Sequence, residues 1–119
     1  LFDFYQVLDR FRLMSKLPDE ESSQYTEVVR LCIAEVEKKL KPGIVFEEHQ
    51  ALLTELAAAN AYYRYMIMTN MVSGSINALD LTVSVDNSKQ IQAAKRLRDE
   101  LMIMAKDLLN DDIFLFGMM

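Results

Sequence analysis

Leu52-Leu53-Thr54-Glu55-Leu56-Ala57-Ala58-Ala59-Asn60-Ala61-Tyr62-Tyr63-Arg64-Tyr65 is the stretch on which the reading of this chain turns. It contains neither Gly nor Pro, and its four alanines and three leucines are strong helix formers. Followed outward, the helical reading runs from Val45 to about Met71. At the usual rise per residue that is a rod of about 40 Å. Ala57, Ala58, Ala59 and Ala61 put small side chains on several faces, which lets neighbouring helices approach closely, so this segment is expected to be the hub of a bundle. Glu55, Asn60, Arg64 and Asn70 make the surrounding apolar stretch, Ala51 to Val72, too polar to cross a membrane and suited to a helix buried on most sides.

Three further helices are expected around this hub. Residues 2–16 carry Phe4, Leu8 and Phe11 at helical spacing, and Leu17-Pro18 ends them because the residue before proline is driven out of the α region. Residues 19–41 open on the acidic run Asp19-Glu20-Glu21, favourable at the positive end of the helix dipole, and close on Lys38, Lys39 and Lys41, favourable at the other. Their apolar stripe is Tyr25, Val28, Val29, Cys32, Val36 and Leu40, and Pro42-Gly43 stops them. Residues 88–109 follow a capping signal at Asn87-Ser88 and carry Ala94, Leu97, Leu101, Met104, Ala105 and Leu108.

Between the last two long helices the pattern changes. Leu79 to Asp86 alternates apolar and polar residues for eight positions and is rich in β-branched side chains, the period of a half-buried strand. The extended segment is placed at 76–86, after the loop signal Ser73-Gly74-Ser75. A lone strand leaves backbone donors and acceptors unpaired. It can fold into a hairpin or pack as an arm on its own bundle, or it can pair with another molecule, and both remain open. If it pairs between molecules, Leu79, Leu81, Val83 and Val85 face a neighbour. The apolar tail 113–116, with Phe114 and Phe116, must likewise tuck onto the bundle or cover a partner. These six are the candidate interface residues. The whole, 1–119, reads as a single mainly α domain, four-helix-bundle-like, with one extended strand or hairpin segment.

Composition agrees. The chain has 119 residues, 51% of them hydrophobic and 26% charged, an ordinary globular balance. Three glycines and two prolines are few for an all-β fold. The formal net charge of −5 opposes a protein that grips nucleic acid by neutralising phosphates, but suits a surface past which DNA slides. Leu1–Arg12 carries Asp3, Asp9 and Arg10 and lacks the basic start of a secretory signal.

Chemistry-bearing motifs are sparse. Cys32, the single cysteine, sits among Leu31, Ile33 and Val36 and reads as a small core hydrophobe rather than a reactive thiol. His49 stands beside Glu47 and Glu48, but adjacent helical residues do not share a face, and a solvated or capping histidine is the plainer reading. The glycines are too dispersed for a phosphate loop. The acidic pairs Asp99-Glu100 and Asp111-Asp112 could ligate a cation, yet such pairs at helix ends are more often solvated caps. No catalytic, cofactor-binding or metal residue is assigned, and the chain reads as non-enzymatic.

In the order of its elements the chain resembles the small head–tail connector (adaptor, or head-completion) proteins of tailed bacteriophages and prophages. The resemblance covers residues 19–116. It rests on the acidic entry Asp19-Glu20-Glu21 into the helix ending at Lys41, on the Ala- and Tyr-rich helix quoted above, and on Leu81-Thr82-Val83-Ser84-Val85-Asp86 running into a last helix with Ala93-Ala94 and Leu97. It closes on Asp111-Asp112-Ile113-Phe114-Leu115-Phe116. The resemblance implies a structural subunit that joins copies of itself into a ring between portal and tail-completion proteins. Such a ring leaves a channel through which DNA passes without specific binding, and it works in the virion or host cytoplasm, without cofactor or membrane. The alternatives are a helical adaptor or regulatory module that binds one protein partner through a groove, and a metal-dependent helical hydrolase.

Overall fold

A computed structural model describes residues 2–76 and 81–110, with side chains over 2–18, 20–69 and 89–110. The described chain is mainly α. Helix α1 is Phe4–Ser15, α2 is a single turn at Asp19–Ser22, α3 is Thr26–Lys39, α4 is Gln50–Ile76 and α5 is Leu81–Met104. Short 3-10 turns lie at Ser23–Tyr25, Phe46–His49 and Lys106–Leu108.

Local chemistry explains the ends. The Asp3 carboxylate caps α1, accepting from the N–H groups of Tyr5 at 3.0 Å and Gln6 at 3.4 Å. Lys16 then takes a left-handed conformation, with φ of 61°, and the chain turns into Leu17-Pro18. The single helix expected over 19–41 is interrupted. The Ser23 hydroxyl donates to the Glu20 carbonyl at 2.8 Å, a local bond that competes with the helical ladder, and Tyr25 leaves helical geometry. The long central helix begins at Gln50, after the 3-10 turn, and runs on to Ile76.

The largest departure lies at the alternating stretch. Leu81–Asp86 are the first turns of α5, not a strand. A period of two over six residues is a weak signal beside an adjoining helix, because extending an existing helix needs no new nucleus whereas a strand needs a partner. Among the described residues the only β-pairing is one antiparallel bridge, Leu40 with Leu109, at the far end of α5. Residues 77–80 of the expected segment lie outside the described residues.

Side-chain contacts give the register. Gln6 bonds Gln50 at 3.0 Å and Arg10 pairs with Glu55, so α1 runs parallel to α4. Tyr25 packs on Tyr65, with centroids 4.9 Å apart, and Glu35 reaches Asn60, so α3 runs antiparallel. The Arg98 guanidinium stands 4.2 Å over the Tyr63 ring, and Leu109, past the end of α5, pairs with Leu40 at the end of α3, so α5 runs antiparallel to α4 too. α4 therefore has α1, α3 and α5 around it. Ala57, Ala58, Ala59 and Ala61 are fully buried, as the hub reading requires, together with Leu53 and Leu56. Val7 and Phe11 of α1, Val29, Cys32 and Val36 of α3, and Met102 and Ala105 of α5 close the core.

The helices differ in length. α4 has 27 residues and α5 has 24, whereas α1 has 12 and α3 has 14. The two shorter helices cover about 20 Å each against about 40 Å for α4. Because α3 starts at the level of Tyr65, the last turns of α4 and the first turns of α5 extend beyond both α1 and α3.

Candidate functional site

The expected joining residues fall at that extended end or outside the described residues. Leu81, Val83 and Val85 lie in the first turns of α5. In a helix, positions four apart share a face and those two apart do not, so this set no longer forms the single row that a strand gives. Leu79, Phe114 and Phe116 are outside the described residues.

The body holds the polar groups that could carry chemistry, and most are engaged with one another. The Glu35 carboxylate accepts from Arg64 at 2.5 Å and from the buried Asn60 amide at 3.2 Å, tying α3 to α4. Cys32 lies in the same layer. Burial pushes its thiol up to about 12, with Arg64 lowering it and Glu35 raising it by smaller amounts. At neutral pH it is a protonated, inert thiol. Arg98 is almost wholly buried, its guanidinium over the Tyr63 ring, and donates to the Asp99 carboxylate at 2.9 and 3.2 Å, while Lys95 approaches the same carboxylate at 3.8 Å. Asp99 is thus held by two cations. His49 is half-buried in the 3-10 turn before α4.

Among the described residues no group of three or more His, Cys, Asp or Glu comes together as metal ligands would. Asp111-Asp112 lies outside them. Among the same residues no helix is long and apolar enough to cross a membrane.

Two features were not legible beforehand. One is the burial of Arg98, whose only sequence signal is its place four residues after Ala94 on the apolar stripe. The other is a groove of about 640 Å³ between α1 and α4, lined by Gln6, Asp9, Arg10, Gln50, Ala51, Thr54 and Glu55. The Thr54 hydroxyl beneath it is buried without a hydrogen-bond partner. Thr69, lower on the same helix, instead donates to the Tyr65 carbonyl at 2.9 Å. An unpaired buried hydroxyl costs about 1–3 kcal/mol. The groove offers two side-chain amides, the Asp9 carboxylate and the Arg10–Glu55 ion pair as binding groups.

No family model matches the chain, and neither a curated protein nor a solved structure does.

Proposed function

We propose that the chain is a non-enzymatic structural subunit that assembles with copies of itself into a ring, as a head–tail connector of a tailed bacteriophage or prophage. In this reading the ring meets a portal on one side and tail-completion proteins on the other, and DNA passes through its channel. Its place is the virion and, before assembly, the host cytoplasm.

The observation that carries the reading is the unequal length of the helices. An apolar stretch enclosed by its own bundle has its contacts already. Here Met71, Val72 and Ile76 of α4 and Leu81, Val83 and Val85 of α5 belong to turns that α1 and α3 do not reach. Apolar turns that project past these two helices can bury themselves against another molecule. In a ring each subunit presents one surface to a different surface of the next, and a projecting apolar end can supply one of the two. The acidic net charge suits a channel wall that DNA must slide past. The groove between α1 and α4 favours the second reading, an adaptor that holds one protein segment.

The test is assembly. Sedimentation and electron microscopy of the purified chain, alone and mixed with a portal ring, should reveal closed rings in at least one condition. A chain that stays monomeric in both, yet captures a single unrelated partner at fixed stoichiometry, belongs to the adaptor reading instead.

A further inference from the structure

The groove between α1 and α4 has a floor that is not satisfied from within. Thr54 is the one buried residue in its lining, 6% exposed, and its hydroxyl has no hydrogen-bond partner among the described residues. A helical hydroxyl can fall back on the carbonyl one turn earlier, as Ser15 does on Phe11 at 2.8 Å and Thr69 on Tyr65 at 2.9 Å. Thr54 makes no such bond to Gln50. Valine has a similar shape and helix propensity and would carry no unpaired group. A hydroxyl held buried and free in the floor of an open groove is a donor for something that enters the groove.

The walls are polar and suited in kind. At one level the Gln50 amide donates to the Gln6 amide oxygen at 3.0 Å. That single bond leaves an N–H of Gln6 and the oxygen of Gln50 without partners among the described residues, one donor beside one acceptor. An extended peptide residue offers its own N–H and C=O on one side, the complementary set. One helical turn on, about 6 Å, Arg10 of α1 pairs with Glu55 of α4. Two extended residues span about 7 Å, so a strand lying in the groove passes Thr54 on its way from the amides to the ion pair. Charge selects the side chain. The charged lining groups are Asp9, Glu55 and one cation, Arg10. Arg12 reaches Asp9 at 3.3 Å, an exposed pair of small worth that a ligand cation can displace. Exposed Glu47 and Glu48 lie in the turn leading into α4.

We propose that this groove is a binding site for an extended peptide segment bearing a lysine or arginine. One residue of the segment pairs its N–H and C=O with Gln50 and Gln6, a following carbonyl accepts from the Thr54 hydroxyl, and the basic side chain meets the carboxylates of Asp9 and Glu55. The groove, about 640 Å³, is within the size range of ligand sites. This deepens the adaptor reading of the groove and stands apart from ring formation, so its failure leaves the assembly test untouched.

Nuclear magnetic resonance of the nitrogen-labelled full chain tests it, with acetyl-Ala-Ala-Lys-Ala-amide and acetyl-Ala-Ala-Glu-Ala-amide as probes. The lysine peptide should shift the side-chain amide signals of Gln6 and Gln50 and the backbone N–H of Thr54, and the glutamate peptide should not. Thr54→Val should weaken the lysine peptide about tenfold, the contribution of one hydrogen bond, while the melting temperature of the free chain stays level or rises. Gln6→Ala, at an exposed position, should weaken it by a similar factor. Equal shifts from both peptides, or shifts spread over the acidic surface without the two glutamines, would mean adventitious binding only and overturn the proposal. So would unchanged affinity in Thr54→Val. A Thr54→Val chain that melts lower or fails to fold would show that the hydroxyl serves the fold, and would overturn it as well.

Discussion

Two stretches of one helix stand in contrast. Leu53–Ala61 of α4 lies inside a layer of α1, α3 and α5, with nearly every side chain buried. Met71–Ile76 of the same helix continues past the ends of α1 and α3, accompanied by the opening turns of α5. Both stretches include apolar residues, but only the first is explained by the bundle. The difference separates what makes the chain fold from what, in our reading, makes it assemble. Substitutions in the first stretch should act on stability, and those in the second on association.

The sharpest way to break the contrast is at Leu53, which is fully buried. Leu53→Ala should cost about 2–5 kcal/mol in urea unfolding, through lost burial and the cavity left behind. A cost below 1 kcal/mol (an order-of-magnitude bound) would mean that the hub collapses freely and is no better packed than the projecting end. Alkali probes the same layer. The Cys32 thiol ionises near its ordinary value of 9.0 when unfolded but only at about 12 when folded. Its contribution is thus fully present below pH 9, and it is lost as the pH rises towards 12 because the unfolded chain releases the proton first. The slope from this group is about 1.4 kcal/mol per pH unit across that window. Cys32→Ala should flatten the alkaline limb of a stability-against-pH curve. An equally steep limb in the variant would assign the loss to other groups.

How much of this was legible in the sequence also follows the contrast. The hub was readable because Ala57, Ala58, Ala59 and Ala61 leave no plausible state except close helix packing, and the stripe Val29, Cys32, Val36 gave α3 its inner face. The projecting end was misread. Leu79–Asp86 satisfies the strand period locally, but local period is only one term. Helix propagation from the strongly patterned residues 94–105 extends back to Leu81 without a new nucleation step. The break at Tyr25 was hidden for a related reason. Its ring fits the stripe, but it leaves helical geometry there and packs against Phe11 and Tyr65, contacts that come from distant parts of the chain. Of the candidate interface residues, Leu81, Val83 and Val85 were read as one row but belong to a helix, where Leu81 and Val85, four apart, share a face and Val83 falls on another.

A smaller effect is expected at the link between α3 and α4. Arg64→Ala leaves the Glu35 carboxylate with only the Asn60 amide. Both partners of the lost pair retain some solvent access, so water replaces part of the interaction and the cost should be about 1 kcal/mol. Glu35→Gln, which keeps an acceptor for Asn60, should cost less. If the two variants are equal, the pair contributes nothing beyond its shape. Denaturant midpoints at fixed m distinguish these cases.

The smallest expected change in stability carries the most weight for function. Val83 is the third residue of α5. An aspartate in the first turn of a helix lies near the positive end of the dipole, where it is tolerated or mildly favourable. Val83→Asp should therefore shift stability by no more than about 0.5 kcal/mol and leave the helical signal unchanged. In an extended segment the same change would place a charge in a row of apolar side chains. The substitution thus distinguishes the two conformations, and it also distinguishes folding from joining. If the turns beyond α1 and α3 are where copies meet, the variant folds like the parent and fails to enter rings, because a buried unpaired carboxylate at a contact costs several kcal/mol. Rings that form normally would remove this end of α5 from the interface. A variant that unfolds would return Val83 to the core and erase the distinction between the two stretches.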